Sequence, residues 1–330
     1  NPRGIWYTPV SGIWQTVWLE VVPAVSIASL RITPDLDDSS LWVEVKIRGD
    51  TPADGLTIKA EACLEKKEVT SINGQAGQPL RLAIQHPRLW SPADPCLYDL
   101  KVQLLQGGQV VDEVEGYFAM RKFALAPDAA GKLRFTLNGQ PLFLYGPLDQ
   151  GYFPDGLYTP PSEEAMLFDI EYTRKIGCNL IRKHIKIEPL RWYYHCDRLG
   201  MIVWQDMPNG GLIDGDRVAL MAQFFGYIRN DTRRLERFGR GEKANREEYQ
   251  VELQGMIDLL YNAPCIAAWV PFNESWGQFE AKRIAGWVGG YDPTRLVDHA
   301  SGWFDQGAGD FQSQHRYVVK LKPPKPDKRA

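Results

Sequence analysis

The pattern of apolar residues changes near Phe123, and this change constrains the fold more than any other feature of the sequence. Before it, short segments alternate apolar and polar residues and are separated by turn formers such as Asn73-Gly74 and Gly107-Gly108. Seven such strands within residues 23–123 predict an immunoglobulin-like β-sandwich. The predicted strands are Val25–Ile32, Leu41–Ile47, Leu56–Leu64, Val69–Gln75, Leu80–Ile84, Leu97–Leu105 and Val110–Phe118.

After Phe123, predicted strands alternate with predicted helices. A hairpin comes first, because Leu133–Leu137 and Leu142–Tyr145 flank the strong turn signal Asn138-Gly139. The alternation that follows predicts a parallel sheet with right-handed crossovers. The predicted helices are Ser162–Ile176, Pro189–Leu199, Asp216–Phe238, Asn245–Tyr261 and Phe279–Val288, and the strands are Asn179–Lys183, Met201–Trp204, a run from Ile266, Leu296–Asp298 and Phe311–Gln314.

Residues 124–330 therefore predict a (β/α)8 TIM barrel. A doubly wound sheet is the alternative, but no glycine-rich phosphate loop follows the first strand. Six barrel strands can be counted, namely the hairpin strand Leu142–Tyr145 and the five that alternate with helices. A closed barrel needs eight, so we expect the barrel to be incomplete. The chain ends in Leu321–Ala330, a proline-rich and lysine-rich segment typical of a linker.

The first 22 residues form a separate unit in this interpretation. Alternation through Trp14, Thr16, Trp18 and Glu20 predicts one strand. A single strand has no partner against which to bury its apolar face. We therefore expect residues 1–22 to be the end of a domain whose beginning lies outside this chain.

The segment Ile266–Trp276 carries the clearest chemical signal. It is an apolar run too short for a comfortable helix that leads into Glu274, which predicts a buried parallel strand with a carboxylate at its C-terminal end. That end of a (β/α) barrel is the catalytic face. Walls formed by Trp269, Phe272 and Trp276 would raise the carboxyl pKa by desolvation, as a general acid requires. The alternative is that Glu274 begins an ordinary loop or caps the next helix.

Polar side chains follow the other predicted parallel strands as well. Any one of these residues alone is typical of an ordinary loop. Polar residues at the C-terminal ends of six successive strands indicate a functional site. The residues are Asp149 and Tyr152 after the first strand, Lys183 and His184 after the second, Gln205 and Asp206 after the third, Asn273 and Glu274 after the fourth, Asp298, His299 and Trp303 after the fifth, and His315 and Tyr317 after the sixth.

Composition narrows the classes of partner. The formal net charge is -3 with 24% charged residues, so no basic patch indicates a nucleic acid or a membrane surface. The 11 Trp and 14 Tyr residues suit stacking on sugar rings, although a β-rich core also uses them. The five cysteines have neither disulfide-type nor metal-ligand spacing, which indicates reduced thiols. No long apolar run or leader is present, so we expect a soluble protein. The sequence leaves the compartment open between the cytoplasm and a periplasmic or secreted location.

Four motifs resemble glycoside hydrolase family two, which contains β-galactosidases, β-glucuronidases and β-mannosidases. They occur in the order found in that family and extend over essentially the whole chain. The resemblance implies a jelly-roll sugar-binding domain of which residues 1–22 are the last strand, then the sandwich at 23–123 and a catalytic barrel at 124–330. The motifs are Gly12–Glu20, Leu89-Trp90-Ser91-Pro92 with Leu97-Tyr98, Asn179–His184 and Asn273-Glu274-Ser275-Trp276-Gly277.

The resemblance also implies roles for individual residues. Glu274 matches the general acid/base of the family, and Asn273 matches the residue that hydrogen-bonds the 2-hydroxyl of the sugar. The remaining candidates match residues near the sugar-binding subsite or in the regions that line the pocket. They are His184, Asp206, Trp303, His315, Tyr317, Asp149 and Tyr152.

One departure from the family pattern bears on activity. Retaining glycosidases need a second carboxylate about 5–5.5 Å from the first, and in this family it is a Glu on the seventh strand. No Glu follows Glu280 in this sequence. The resemblance thus implies a retaining exo-β-glycosidase, β-galactosidase-like, with its nucleophile outside this chain and with the fragment inactive alone. We expect no cofactor and no metal, and a homo-oligomer is compatible with the sequence.

Two alternatives remain at this point. The chain could be a non-catalytic carbohydrate-binding or structural relic of such an enzyme. An aldo-keto-reductase-like barrel would need a dinucleotide site, and the sequence contains none. The choice among galactose, glucuronate and mannose is left open, because one hydroxyl contact can reverse such a preference.

Overall fold

The computed structural model describes residues 7–49, 55–211, 227–317 and 329–330. Every strand predicted between residues 25 and 118 is present, with ends displaced by a few residues. Its first seven strands are β1 (Ser26–Asp35), β2 (Ser40–Arg48), β3 (Leu56–Leu64), β4 (Lys67–Gln75), β5 (Leu80–Ala83), β6 (Tyr98–Gln106) and β7 (Gln109–Phe118).

These seven strands form two antiparallel sheets. One has the order β1-β2-β5 and the other the order β4-β3-β6-β7. Side chains alternate between the two faces of a strand, so the alternating sequence buries one face of β3 and of β6. Buried residues from both sheets make a single apolar core, and the two sheets therefore pack as a sandwich. This part of the chain is β-rich, as the sequence predicts.

A small antiparallel sheet links the sandwich to the rest of the chain. Its order is β10-β9-β8, with β8 at Phe123–Pro127, β9 at Leu133–Leu137 and β10 at Gln140–Pro141. The turn residues Asn138 and Gly139 have φ of 54° and 77°, as a tight hairpin turn requires. The predicted return strand Leu142–Tyr145 is wrong, because antiparallel pairing ends at Pro141.

A five-stranded parallel sheet follows, with helices between its strands. In the order β11-β12-β13-β14-β15 every neighbouring pair is parallel. All five residues of β14 are buried, which explains its continuous apolar sequence. The strands are β11 (Leu148–Asp149), β12 (Leu180–Lys183), β13 (Ile202–Asp206), β14 (Ile266–Val270) and β15 (Leu296–Val297), and the helices are α1 (Glu163–Lys175), α2 (Leu190–Leu199), α3 (Lys243–Leu260) and α4 (Ala281–Tyr291).

Several predicted elements differ from the structure. No strand forms at Phe311–Gln314. Of the helix predicted at Asp216–Phe238, residues 212–226 lie outside the described part, and residues 227–238 contain only a short 3-10 helix at Leu235–Phe238. Most of the predicted linker at the C-terminus also lies outside the described residues. Helix α3 begins at Lys243, so Asn245 does not cap it and instead accepts a hydrogen bond from Arg240.

The residues before β1 form no strand. Residues 7–22 instead run as irregular backbone along the parallel-sheet region. The ring of Tyr7 stacks on Tyr152 with centroids 4.2 Å apart, and Gln15 donates a hydrogen bond to the Ile187 carbonyl at 3.2 Å. Leu19 is 98% exposed. The single strand predicted here is wrong, because alternation alone supplies no hydrogen-bonding partner.

Helix α2 joins the sandwich to the parallel sheet. Asp197 near its end is fully buried and accepts hydrogen bonds from the Tyr117 hydroxyl at 2.8 Å and from the Cys265 amide at 2.7 Å. The indole of Trp90 donates to the Asp197 carbonyl at 2.7 Å. Burial raises the pKa of Asp197 to about 6. Asp197 thus forms a buried polar contact at the junction between the sandwich and the parallel sheet.

The end of helix α2 also contacts the sandwich. Gly200 terminates the helix with φ of 72°, in the left-handed region that suits glycine. A Cβ at this position would lie 2.8 Å from the Pro92 carbonyl oxygen, which is closer than any side chain tolerates. Both the turn and the close approach therefore require glycine. None of the helices in the described ranges combines the length and the apolar character needed to cross a bilayer.

Candidate active site

Glu274 lies in the loop directly after β14 and is held there by an unusual backbone. Its φ is 49° and that of Ser275 is 64°, both in the left-handed region that non-glycine residues seldom occupy. The Glu274 amide donates to the Ser301 carbonyl at 2.7 Å, which ties this loop to the one after β15. Such strain persists only where the surroundings impose it, and it is concentrated at functional sites.

Two of the described side chains form hydrogen bonds with the Glu274 carboxylate. His315 Nδ1 lies 3.0 Å from Oε1, and the Tyr317 hydroxyl donates to the same oxygen. Burial raises the pKa of Glu274, but the hydrogen bonds from His315 and Tyr317 outweigh it and leave the pKa below the usual range. The predicted upward shift of the Glu274 pKa is therefore wrong, and the carboxylate is ionised at neutral pH.

The aromatic residues that were predicted to enclose Glu274 have other partners, which explains part of the difference between its predicted and observed pKa. The Trp269 indole donates to Asp292 at 2.9 Å within the core, and Phe272 stacks on Tyr249 with centroids 5.3 Å apart. Trp276 packs against the separate apolar cluster that contains Trp303. All three side chains thus have packing or hydrogen-bonding partners other than the Glu274 carboxylate, so closeness in sequence does not make an apolar wall around it.

Arg182 in β12 connects four of the candidate residues. Its Nε and Nη2 donate to the two carboxylate oxygens of Asp206, both at 2.9 Å, in a bidentate pair. Nη2 also donates to Asn273 Oδ1 at 2.8 Å, and Nη1 lies 3.1 Å from His315 Nε2. Through His315 this network reaches Glu274. Sequence reasoning did not name Arg182 as a site residue, although a charged residue within a short buried strand was an available signal.

His184 extends the network beyond Asn273. Its Nε2 lies 3.0 Å from Asn273 Nδ2. An amide nitrogen can only donate, so this ring nitrogen accepts. Burial lowers the pKa of His184, which keeps the ring neutral and suits it to this role.

His315 packs against the loop that follows β15. Its Nε2 lies 3.1 Å from Ser301 Oγ, and Ser301 Oγ lies 3.2 Å from Ser313 Oγ. A Cβ at Gly302 would lie 2.4 Å from the Cγ of His315, so only glycine admits the ring. The nearby Asp298 is fully buried, and burial raises its pKa.

Trp303 and Tyr317 form an aromatic edge beside Glu274. Their rings meet edge to face with centroids 6.4 Å apart. Tyr317 is 66% exposed, whereas Trp303 is 9% exposed. An aromatic surface next to hydrogen-bonding groups suits a sugar ring, which has apolar faces and a polar rim.

Asp149 and Tyr152 lie in a second cluster. Lys183 donates to Asp149 at 2.6 Å and to Glu188 at 2.9 Å. Tyr152 donates to the Thr8 carbonyl in the N-terminal segment. Among the described residues no hydrogen bond joins either side chain to Glu274, so the structure brings together seven of the nine candidates.

No group of three or more His, Cys, Asp and Glu side chains in the described ranges is arranged to hold a metal ion. The site offers a carboxylate, an amide, two imidazoles, a phenol and an indole within one connected network. These groups can hydrogen-bond a polyhydroxylated ligand and exchange protons with it.

Comparison with known proteins gives a consistent result. Residues 25–121 match the model of the family described as "Glycosyl hydrolases family 2". A β-galactosidase from Leuconostoc mesenteroides is 27% identical over 92% of this chain, and a putative β-glucuronidase from Formosa agariphila is 28% identical over 61%. The chain spans 28% and 25% of the lengths of these two relatives.

Solved structures share the fold. An FMN-binding β-glucuronidase from Facaelibacterium prausnitzii L2-6 matches 90% of this chain and 45% of its own with a TM-score of 0.71 at 20% identity. A β-glycosidase from Bacteroides vulgatus matches 87% of this chain and 35% of its own with a TM-score of 0.69 at 20% identity. The resemblance to glycosyl hydrolases family 2 that the motifs predict is confirmed.

Proposed function

We propose that this chain is part of a retaining exo-β-glycosidase of the β-galactosidase type, in which Glu274 is the general acid/base. The observation that carries the proposal is the position of Glu274, next to Asn273 at the C-terminal end of a buried parallel strand, in a strained backbone and a connected polar network. The relatives of this chain include proteins named β-galactosidase and β-glucuronidase, which supports a β-linked sugar as the substrate.

The proposal includes an architecture. The five parallel strands are the first part of a (β/α)8 barrel whose remaining strands lie outside the described residues. Residues 1–22 end a jelly-roll domain, residues 23–123 are an immunoglobulin-like sandwich, and residues 124–330 belong to the catalytic barrel. The C-terminal ends of parallel barrel strands form the catalytic face, which is where Asp206 and Glu274 lie.

The reaction proceeds in two displacements. Glu274 protonates the glycosidic oxygen while a second carboxylate attacks the anomeric carbon and forms a glycosyl-enzyme. Glu274, now ionised, then takes a proton from the water that hydrolyses this intermediate. We propose that the second carboxylate comes from outside this chain, because no Glu follows Glu280.

A second carboxylate also accounts for the proton that Glu274 must carry. In the ligand-free chain the hydrogen bonds from His315 and Tyr317 keep Glu274 ionised. A like charge about 5 Å away disfavours a second ionised carboxylate and raises its pKa. A leaving-group oxygen that replaces the Tyr317 hydroxyl as partner would act in the same direction.

The other candidates hold the sugar in this proposal. Asn273 bonds the 2-hydroxyl through Nδ2, because Arg182 already occupies its Oδ1. His184, His315, Tyr317 and Trp303 surround the ring, and Asp206 keeps Arg182 in place. Asp149 and Tyr152 belong to a more distant subsite beside the N-terminal segment.

The test is hydrolysis of a panel of nitrophenyl β-glycosides by this chain and by a polypeptide extended along its reading frame. We expect activity only in the extended form, lowered about 10²–10⁴-fold by Glu274→Gln. The matched control is Glu280→Gln, because Glu280 also has a left-handed backbone but pairs with Arg283 at the surface. Full turnover in Glu274→Gln would contradict the proposed role.

The alternative function is a non-catalytic carbohydrate-binding or structural relic. It is favoured by the ionised state of Glu274 in this chain, since an ionised carboxylate can bind a hydroxyl but cannot protonate a leaving group. Absence of hydrolysis in both polypeptides, together with calorimetric binding of a β-glycoside by the chain, would support the binding form. Absence of both would support the structural form.

A further inference from the structure

We infer that Arg182 is a positioning residue that determines where the protons of the site lie. It holds His315 uncharged with its single ring proton on Nδ1, and it orients the Asn273 amide so that Nδ2 points away from Arg182. The inference rests on the proposed function only for the role of Glu274. The positions of the protons themselves can be measured without any sugar.

The contact between Arg182 and His315 determines the state of the imidazole. A guanidinium has five N–H donors and no acceptor. Its Nη1 lies 3.1 Å from His315 Nε2, so a hydrogen bond between them requires Nε2 to be unprotonated. The single ring proton of a neutral His315 is then on Nδ1, from which it is donated to Glu274 Oε1 at 3.0 Å.

Doubly protonated His315 conflicts with this geometry. A proton on Nε2 would place an N–H against an Arg182 N–H and an imidazolium beside a guanidinium. Both contacts are repulsive. Ser301 Oγ is also 3.1 Å from Nε2, and its hydroxyl can donate to the same unprotonated nitrogen while Oγ accepts from the Ser313 hydroxyl at 3.2 Å.

The charged and titratable groups around the pair fit the same assignment. Glu274 faces His315, Tyr317 and, at longer range, His184. Arg182 faces Asp206 in its bidentate pair and, at longer range, the buried Asp298 and Glu274. Carboxyl groups thus keep the guanidinium in place, and two of its three remaining N–H groups are directed at His315 and Asn273.

The Asn273 amide is fixed by the same guanidinium. Arg182 Nη2 donates to Oδ1 at 2.8 Å, and this assigns the other end of the amide as nitrogen. One Nδ2 hydrogen is directed at His184 Nε2, and the second is available to a ligand hydroxyl oxygen. One side chain therefore sets both the ligand-binding amide and the partner of the carboxylate.

Ser301, His315 and Glu274 also have the connectivity of a serine hydrolase triad, but they cannot act as one. Ser301 is 1% exposed and cannot reach a substrate carbonyl. The Arg182 N–H occupies Nε2, which would have to accept the serine proton. The same contact that excludes a base role for His315 supports its assignment as a neutral donor to Glu274.

An uncharged His315 is what the proposed reaction needs. Glu274 must gain and lose a proton in each turnover. An imidazolium next to it would stabilise the carboxylate and oppose protonation, whereas a neutral N–H donor opposes it far less. Arg182 supports the reaction by excluding the second proton from His315, without touching the substrate.

The experiment is ¹⁵N NMR of the chain labelled at histidine, recorded from pH 5 to 8. We expect His315 to show a pyrrole-type shift at Nδ1 and a pyridine-type shift at Nε2 at pH 7. A pyrrole-type Nε2 in the unmodified chain would overturn the inference on its own, even if no variant folds.

Variants then assign the effect to Arg182. The double substitution Arg182→Met/Asp206→Leu removes the buried pair together, so that no unpaired buried charge is left. We expect Nε2 of His315 in this variant to lose its pyridine-type shift at pH 7, because the N–H that required an unprotonated nitrogen is gone. Arg182→Lys keeps a charge for Asp206 but cannot form the fork, and we expect a shift in the same direction.

Arg283→Met is the matched control, because this arginine pairs with Glu280 on the surface of α4. It should leave the His315 spectrum unchanged. Identical His315 ¹⁵N shifts at pH 7 in the double variant and in the unmodified chain would overturn the inference. This outcome is independent of glycosidase activity, so failure of the inference is distinguishable from failure of the proposed function.

Discussion

At the scale of single residues, hydrogen bonds from His315 and Tyr317 keep Glu274 ionised, and the contribution of Tyr317 can be measured. The Tyr317 hydroxyl donates to Glu274 Oε1 and lowers its pKa. We predict that Tyr317→Phe raises the pKa of Glu274, because desolvation then acts against only one hydrogen bond from His315.

The measurement is a pH titration of the Glu274 carboxyl carbon by ¹³C NMR. The control is Tyr172→Phe, since Tyr172 is half-exposed on α1 and stacks on Phe168. An unchanged Glu274 titration in Tyr317→Phe would mean that this hydroxyl does not stabilise the carboxylate.

The sequence located the site residues better than it described their environment. Glu274 and Asn273 could be found because a short apolar strand that ends in polar residues has few other interpretations. The pKa of Glu274 could not, because it depends on His315 and Tyr317, which the chain brings in from more than forty residues away. Arg182 was missed for a related reason, since periodicity places a side chain on a face but does not identify its partners.

At the scale of elements, the end of helix α2 couples local geometry to packing. Gly200 combines a left-handed φ with a close approach to Pro92. We predict that Gly200→Ala lowers the free energy of unfolding by about 2 kcal/mol or more, from the left-handed strain of about 1–2 kcal/mol and the displaced backbone.

The matched substitution is Gly255→Ala in the interior of α3, where nothing lies within 4 Å of the added Cβ. It should raise the free energy of unfolding by up to about 1 kcal/mol, since alanine is the better helix former. Urea unfolding monitored by circular dichroism measures both. Equal effects of the two substitutions would contradict this account of the Gly200 contact.

Sequence reasoning at this scale succeeded where elements pair with near neighbours. Helix α1 begins after its capping residue Ser162, and three pairs of sandwich strands, β1–β2, β3–β4 and β6–β7, join consecutive strands. It failed for Phe311–Gln314 and for residues 14–20, where a strand-like pattern has no strand partner in the described structure. Strand pattern is a property of a segment, whereas strand formation requires a second segment.

At the scale of the whole molecule, the junction between sandwich and parallel sheet contains a buried acid. Burial raises the pKa of Asp197 to about 6 in the folded chain, against an ordinary value near 4. Between these values the folded state binds a proton that the unfolded state does not. Stability is therefore highest below pH 4 for this group and falls by up to about 3 kcal/mol as pH rises through 6.

We predict that Asp197→Asn flattens this dependence. The amide keeps an acceptor for the Cys265 N–H, and the Tyr117 hydroxyl can rotate to accept from the new N–H group. Urea unfolding at pH 5 and pH 7 should show a fall in stability that is about 1 kcal/mol smaller in the variant. Asp99→Asn, on the exposed face of β6, should keep the original slope. The same slope in all three proteins would exclude Asp197 as the source.

The left-handed backbone at Glu274 and Ser275 has a consequence for any search for more stable forms of this protein. Glycine or asparagine would occupy both positions with less strain, so selection for thermal tolerance alone favours replacing them. Such a screen would discard the proposed acid/base first. Loss of the Glu274 carboxylate from variants selected for heat resistance would therefore identify a position at which this chain gives up stability for catalysis.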